Sequence, residues 1–356
     1  MSIIYYLGEA VGKGASDIFV IAGGHISFKI DGIITRIGEE KINQHESEEL
    51  IREIFALSNR SIDGYIAKGD DDFSFSLSGL SRFRVSAYRQ RGSMAAVIRI
   101  VSFDIPDFRK LNIPSDVIKI AELNRGLVLV TGPTGCGKST TLTCMIDDIN
   151  KKRNAHVITL EDPIEYLYRN DKSIVSQREI AIDTDDYLTA LRASLRQAPD
   201  VIQLGEMRDF ETIRTAMTAA ETGHLVLSTL HTIGAVNTID RIIDVFPPNQ
   251  QHQVRMQLSM ILTSVISQQL LPDEEGGLIP AFEIMHITPA IRNMIREGKT
   301  YQIDNVIQTS SSEGMMNMDS YIINLYKAGK VSELTAILYA INPEQLQRKL
   351  RGLYKE

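Results

Sequence analysis

Apolar and polar positions change their spacing along the chain, and each spacing predicts a different element. Early in the sequence, short β-type runs alternate with polar turns over residues 17–22, 25–30 and 33–37, with Asp31-Gly32 as the hairpin turn between the last two. Leu50, Ile51, Ile54, Phe55, Leu57 and Ile62 follow a period near 3.6, which predicts a helix over residues 44–67. Over residues 81–88, Phe83, Val85 and Ala87 alternate with Arg82, Arg84, Ser86 and Tyr88. A strand there has one apolar face and one face carrying two arginines. A further strand is predicted over 97–101.

Residues 102–114 contain Pro106 and Pro114 and little periodicity, so they read as a linker. Beyond it the pattern becomes apolar strand, loop and helix in repetition. Strands are predicted over 126–130, 156–160, 201–204 and 225–229, with a helix over 139–151. Continuous apolar strands alternating with helices imply a mainly parallel sheet covered on both faces. After Gln269 the chain reads as helical again, over 288–298, 319–328 and 343–353. In the first of these, Ala290, Ile291, Met294 and Ile295 form an apolar stripe; Arg292, Asn293, Arg296 and Glu297 lie opposite, and Gly298 stands as a C-cap. The expected organisation is a smaller α+β domain over 1–101, the linker over 102–114, and an α/β domain over 115–356 whose C-terminal helical region begins at about 287.

Composition narrows the function classes. The chain has 356 residues, 43% of them hydrophobic, enough for two packed cores. Lys and Arg number 38 against 45 Asp and Glu, and the net charge of -7 argues against bulk attraction to nucleic acid or anionic lipid. Two cysteines, Cys136 and Cys144, build neither a disulfide framework nor a four-cysteine metal site. No apolar run approaches the roughly 18 residues of a membrane helix, and residues 1–14 lack the features of a signal peptide. A cytoplasmic location is expected.

The strongest chemical signal is Gly132-Pro133-Thr134-Gly135-Cys136-Gly137-Lys138-Ser139, a complete phosphate loop placed between a buried strand and a helix. Glycines let the backbone wrap phosphate oxygens with its N–H groups, and the helix N-terminus adds a positive dipole end. Lys138 would reach the terminal phosphates and Ser139 would hold Mg²⁺. The strand over 201–204 runs through Gly205 to Glu206, which puts an acid beside Mg²⁺ or the attacking water. Glu161 and Asp162 end another strand, where ligands bind in such sheets, and either acid suits the positioning of water; a solvated turn is the plainer alternative. His224 and His231 bracket the strand over 225–229, too far apart along it to share one metal unaided. Structural histidines are the commoner case, and sensing of the terminal phosphate is the functional alternative. Arg82, Arg84, Arg89, Arg91 and Arg99 cluster in the first domain, and Arg192 and Arg196 are one helical turn apart. Phosphoryl transfer gains greatly from an arginine supplied across an interface.

Gly14-Ala15-Ser16-Asp17, Ser81-Arg82-Phe83-Arg84-Val85, the phosphate loop, Glu161-Asp162-Pro163-Ile164-Glu165-Tyr166, Gly205-Glu206-Met207-Arg208-Asp209, Thr222-Gly223-His224 and His231-Thr232 resemble, over nearly the whole chain, the PilT-type pilus retraction ATPases of the secretion-ATPase superfamily. Ala290-Ile291-Arg292-Asn293-Met294-Ile295-Arg296-Glu297 is similar to the motif associated with retraction, with Met294 in place of the usual Leu. The resemblance implies a PAS-like α+β domain, a RecA-like P-loop ATPase domain with C-terminal helices, and a homohexameric ring binding ATP and Mg²⁺ between the two domains. It further implies that Glu206 is the Walker B acid, Glu161 an acid near the attacking water, and His224 and His231 the His-box pair. Thr140 joins residues 132–139 in nucleotide binding, and Arg82 and Arg84 reach toward nucleotide. The implied partners are an inner-membrane pilus platform protein and the pilus machinery, with no nucleic acid, and attachment to the inner face of the membrane only through those partners. The alternatives are a pilus assembly or type II secretion ATPase, an accessory PilU-type retraction ATPase, and, from another class, a nucleotide-gated regulatory or scaffold protein.

Overall fold

The computed structural model describes residues 2–30 and 32–353, side chains at 352 and 353 excepted. Asp31, the expected hairpin turn residue, lies outside the described residues. The chain divides into two compact units, one of Met1–Asp104 with Ile164–Leu167, the other of Ile105–Pro163 with Tyr168–Glu356.

In the first unit, helix α1 (Ile3–Gly12) precedes strands β1 (Asp17–Ile21), β2 (Ser27–Ile30) and β3 (Ile33–Arg36). Helices α2 (Gln44–Leu57) and α3 (Asp63–Lys68) follow, then β4 (Asp70–Leu77), β5 (Ser81–Gln90) and β6 (Ser93–Val101). The strands form one antiparallel sheet in the order β3-β2-β1-β6-β5-β4. Its core joins Ile3 and Leu7 of α1, Ile51 and Ile54 of α2, and Phe83 and Val85 of β5. The alternation in β5 is as expected: Phe83, Val85 and Ala87 are buried while Arg82 and Arg84 are half-buried on the opposite side. The single helix expected over 44–67 is instead two. Asn43 and Glu46 close a capping box at the start of α2, and Asn59 at φ 52° turns the chain out of the helix after Ser58.

The second unit runs α4 (Ser115–Lys119), β7 (Gly126–Thr131), α5 (Lys138–Lys152), β8 (His156–Glu161), β9 (Ile174–Glu179), α6 (Tyr187–Ser194), β10 (Val201–Leu204) and α7 (Phe210–Glu221). It continues with β11 (Leu225–Leu230), α8 (Ala235–Asp244), α9 (Pro248–Ile261), β12 (Leu262–Pro272) and β13 (Leu278–His286). The chain then closes with α10 (Pro289–Glu297), α11 (Ile303–Thr309), α12 (Met318–Lys327), α13 (Glu333–Tyr339) and α14 (Pro343–Leu353). The sheet order is β13-β12-β7-β11-β10-β8-β9, parallel throughout except for the antiparallel β12–β13 pair at one edge. Both faces are covered, as the continuous apolar strands require. Leu127 and Leu129 of β7 pack with α7 to α11, while Val128 and Val130 pack with Leu142, Met145, Ile146 and Ile149 of α5. Ile105, Phe108, Leu111 and Ile113, from the stretch read as a linker, pack against this second cluster.

Before the helices expected after Gln269, the chain forms the β12–β13 hairpin, which the sequence pattern does not predict. Ser264, Ser267, Gln268 and Gln269 are buried polar residues that interrupt the apolar run of a central strand and so conceal it. Helix α10 forms where expected: the Thr288 hydroxyl accepts the Ile291 N–H at 3.2 Å, Pro289 sits at the first helical position, and Gly298 at φ 70° ends it. Its apolar stripe is narrower than expected. Ile291 and Ile295 are fully buried and Met294 partly, whereas Ala290 is exposed beside the polar residues. Among the described residues, no helix is long and apolar enough to cross a membrane.

Candidate functional site

The site lies along the carboxyl ends of β8, β10, β11 and β7, where parallel sheets place their ligands. After Thr131 the loop wraps tightly, with φ of 140° at Gly132, 78° at Gly135 and 90° at Gly137, values that suit only glycine. It opens directly into α5, whose first turn has N–H groups without helical acceptors. Lys138 is 8% exposed, and its ammonium donates back to the carbonyls of Gly132 at 2.8 Å and Pro133 at 2.9 Å. Pro133, Thr134, Gly135 and Ser139 are exposed, Thr140 is half-buried, and Cys136 is buried, its thiol pushed up by desolvation. A phosphate-wrapping loop, a buried lysine and an exposed hydroxyl at a helix N-terminus fit a nucleoside triphosphate with its Mg²⁺.

Next to the loop, the Gly132 N–H donates to the Leu230 carbonyl at 3.2 Å, which seats the end of β11 and His231 against it. His231 contacts Glu206 at 3.2 Å, and Arg208 grips the other carboxylate oxygen at 2.6 Å. Burial pushes the Glu206 carboxyl up, but the hydrogen bonds from Arg208 and His231 outweigh it and hold the group below the usual carboxylate range. Gly205 permits this turn, because a Cβ there would sit 2.5 Å from the Tyr187 hydroxyl. Burial, with the negative charges of Asp162, Glu206 and Glu161, raises the Tyr187 phenol, so these acids share one neighbourhood.

Glu161 is the last residue of β8 and 8% exposed; it accepts the Thr159 hydroxyl at 2.5 Å and the Gln177 amide at 3.2 Å. Val157 packs on the α5 side of the sheet, and strand alternation puts Thr159 and Glu161 on that same side. Gln203, which interrupts the apolar β10 run, pairs in register with Thr159 and joins that polar end of the face.

Lys138, Ser139, Glu161, Glu206 and His231 thus gather at one sheet edge. His224 does not. It precedes β11, at the level of Gly126 and a full strand away from the loop, and its ring contacts the Ala219 carbonyl at 2.9 Å. Arg82 and Arg84 belong to the first unit. Arg192 pairs with Glu211 at 3.0 Å, and Arg196 lies past the end of α6. Arg208, Tyr187, Gln177 and Gln268 also join the site, and no sequence motif assigns them a role there. Arg208 stands two residues from Glu206 and was within reach of a local reading; the others arrive from distant strands and helices and carry no local signal.

The strand, glycine loop and helix in this sheet define a P-loop nucleotide-binding protein. The family of type II/IV secretion system proteins matches residues 2–276. The chain is 43% identical over 344 residues to the type IV pilus retraction ATPase PilT of Pseudomonas aeruginosa, covering 97% of this chain and 99% of that one. It is 36% identical to the type IV pilus ATPase PilU of the same organism, covering 96% and 89%. A crystal structure of the pilus retraction motor PilT with bound ADP superposes with a TM-score of 0.87 at 44% identity, covering 98% of this chain and 99% of that one. The chain belongs to the type II/IV secretion system protein family, among its type IV pilus retraction ATPases.

Proposed function

We propose that this ATPase couples hydrolysis of ATP to the retraction of type IV pili, and so to twitching motility. The presence of Lys138, Glu161, Glu206 and His231 along the same carboxyl edge of the sheet as the phosphate loop carries this reading, together with the full-length likeness to the retraction motor PilT. Residues 132–140 bind the phosphates, Lys138 neutralises their terminal charge, and Glu161 orients the attacking water and takes up its proton. Ser139 and Glu206, the latter partly through water, are the residues that would hold Mg²⁺, which neutralises charge developing on the transferred phosphoryl group. His231, which contacts Glu206 and follows the Leu230 carbonyl that accepts the Gly132 N–H, registers the terminal phosphate.

The proposed assembly is a homohexamer in the cytoplasm, docked at the inner face of the cell membrane through a pilus platform protein. Within each subunit, residues 1–101 form the PAS-like domain, 102–114 the connection, and 115–356 the RecA-like domain with its helical region from about 287. Arg82 and Arg84 act on nucleotide from this PAS-like domain.

Replacing Lys138 with Ala tests the reading. The substitution removes one point charge while the loop backbone can still fold. ATP hydrolysis is expected to vanish with thermal unfolding little changed, and wild-type turnover in the variant would overturn the assignment.

A further inference from the structure

Gln268 lies in the middle of β12, only 2% exposed, a polar side chain buried inside the sheet. Its amide nitrogen donates to the Cys136 carbonyl at 2.6 Å, and its amide oxygen accepts the Thr141 hydroxyl at 2.8 Å. One end of this amide therefore holds the phosphate loop and the other holds the first turn of α5. The backbone of the same residue presses on the loop as well. A Cβ at Gly132 would lie 2.1 Å from the Gln268 carbonyl oxygen, and one at Gly137 would lie 2.9 Å from its amide nitrogen. The approach of the β12 backbone thus requires glycine at position 132 independently of any phosphate, while at position 137 the close neighbour is the Gln268 side-chain amide.

The strand that presents Gln268 is tied on its other side. The Ser267 hydroxyl accepts the Gly234 N–H at 2.9 Å, and the Gln269 amide donates to the Tyr339 carbonyl at 3.3 Å. Glu283, opposite Ser267 in register, accepts the Ala235 N–H at 2.8 Å. The segment just after His231, the phosphate loop and the end of α13 are therefore anchored on three consecutive residues of one strand. A donor and an acceptor are needed together at position 268, and only an amide of this length supplies both.

We propose that Gln268 is a positioning residue for phosphate binding, holding the loop and the start of α5 in the shape that receives the terminal phosphates. This rests on the reading of the loop as a nucleotide site. Gln268→Met keeps length and removes both hydrogen bonds; Gln268→Glu keeps only the acceptor toward Thr141; Thr141→Val removes only that arm. With a fluorescent ADP analogue as probe, at a temperature where every variant is folded, Gln268→Met is expected to bind roughly ten- to hundredfold more weakly and Thr141→Val roughly three- to tenfold, with Gln268→Glu between wild type and Met. A purely structural role would lower thermal stability and leave affinity in the folded protein unchanged. Wild-type binding with unaltered affinity in Gln268→Met and Thr141→Val overturns the positioning role alone, whereas failure of the wild-type protein to bind the probe overturns the nucleotide reading beneath it. If Gln268→Met does not fold, unchanged affinity in Thr141→Val decides against the proposal by itself.

Discussion

Glu206 is held at both carboxylate oxygens, by the Arg208 guanidinium at one and the His231 ring at the other, and this sets what the residue can do. A carboxylate kept ionised in this way is a ligand and a fixed charge; it takes up a proton poorly. Glu206→Gln retains shape and removes charge, so ATP binding is expected to persist while hydrolysis falls by at least about a hundredfold, measured by nucleotide binding beside phosphate release. Normal turnover in that variant would transfer the essential role to Glu161. A pH dependence follows from the same contacts. Because the folded-state pKa is depressed, the stabilisation from ionised Glu206 is present above the ordinary glutamate pKa of about 4.3 and is lost as pH falls through the lowered value. The stability advantage of wild type over Glu206→Gln should therefore hold at neutral pH and close only in acid. Unfolding temperatures that converge already near neutrality would contradict this.

Among the elements, α10 joins a packed stripe to an exposed polar face. Ile291 and Ile295 are fully buried in the cluster that backs β7, so Ile295→Ala should cost about 2–5 kcal/mol, read by denaturant unfolding. Arg292 and Asn293 are exposed and contribute little to that packing. The double substitution Arg292→Ala with Asn293→Ala is expected to leave assembly and hydrolysis intact and to abolish pilus retraction. Normal retraction in the double variant, or loss of its fold, would make the segment structural. This helix was legible because each of its signals is local: a Thr cap, a proline at the first position, apolar residues at helical spacing and a closing glycine. The β12–β13 hairpin is harder to read, since the polar side chains buried in β12 answer to partners outside the strand, the farthest being those of Gln268, whose amide meets Cys136 and Thr141 more than a hundred residues away.

At the scale of the whole molecule, the proposed ring makes a prediction that no single subunit can. Arg84 faces away from the apolar core of the first unit, opposite Arg99 in register. If it acts on the nucleotide of a neighbouring chain, mixing Lys138→Ala subunits with Arg84→Ala subunits should give hydrolysis that departs from the weighted average of the two parents, measured across mixing ratios. Simple averaging would assign the arginine to its own subunit.

The sequence by itself determined the phosphate loop, the strands and helix flanking it, the acids at the ends of β8 and β10, and the α/β class. Each is written within a few neighbouring residues, because loop curvature, strand alternation and helix caps are local properties of the backbone. Only the tertiary structure decided which of those residues meet. It brought His231 onto Glu206 and left His224 at the far end of the same strand. It also set Gln268 under the loop from the other side of β7. Sheet order is fixed by the crossovers between strands, and a crossover joins or separates side chains without leaving a mark on the residues beside them.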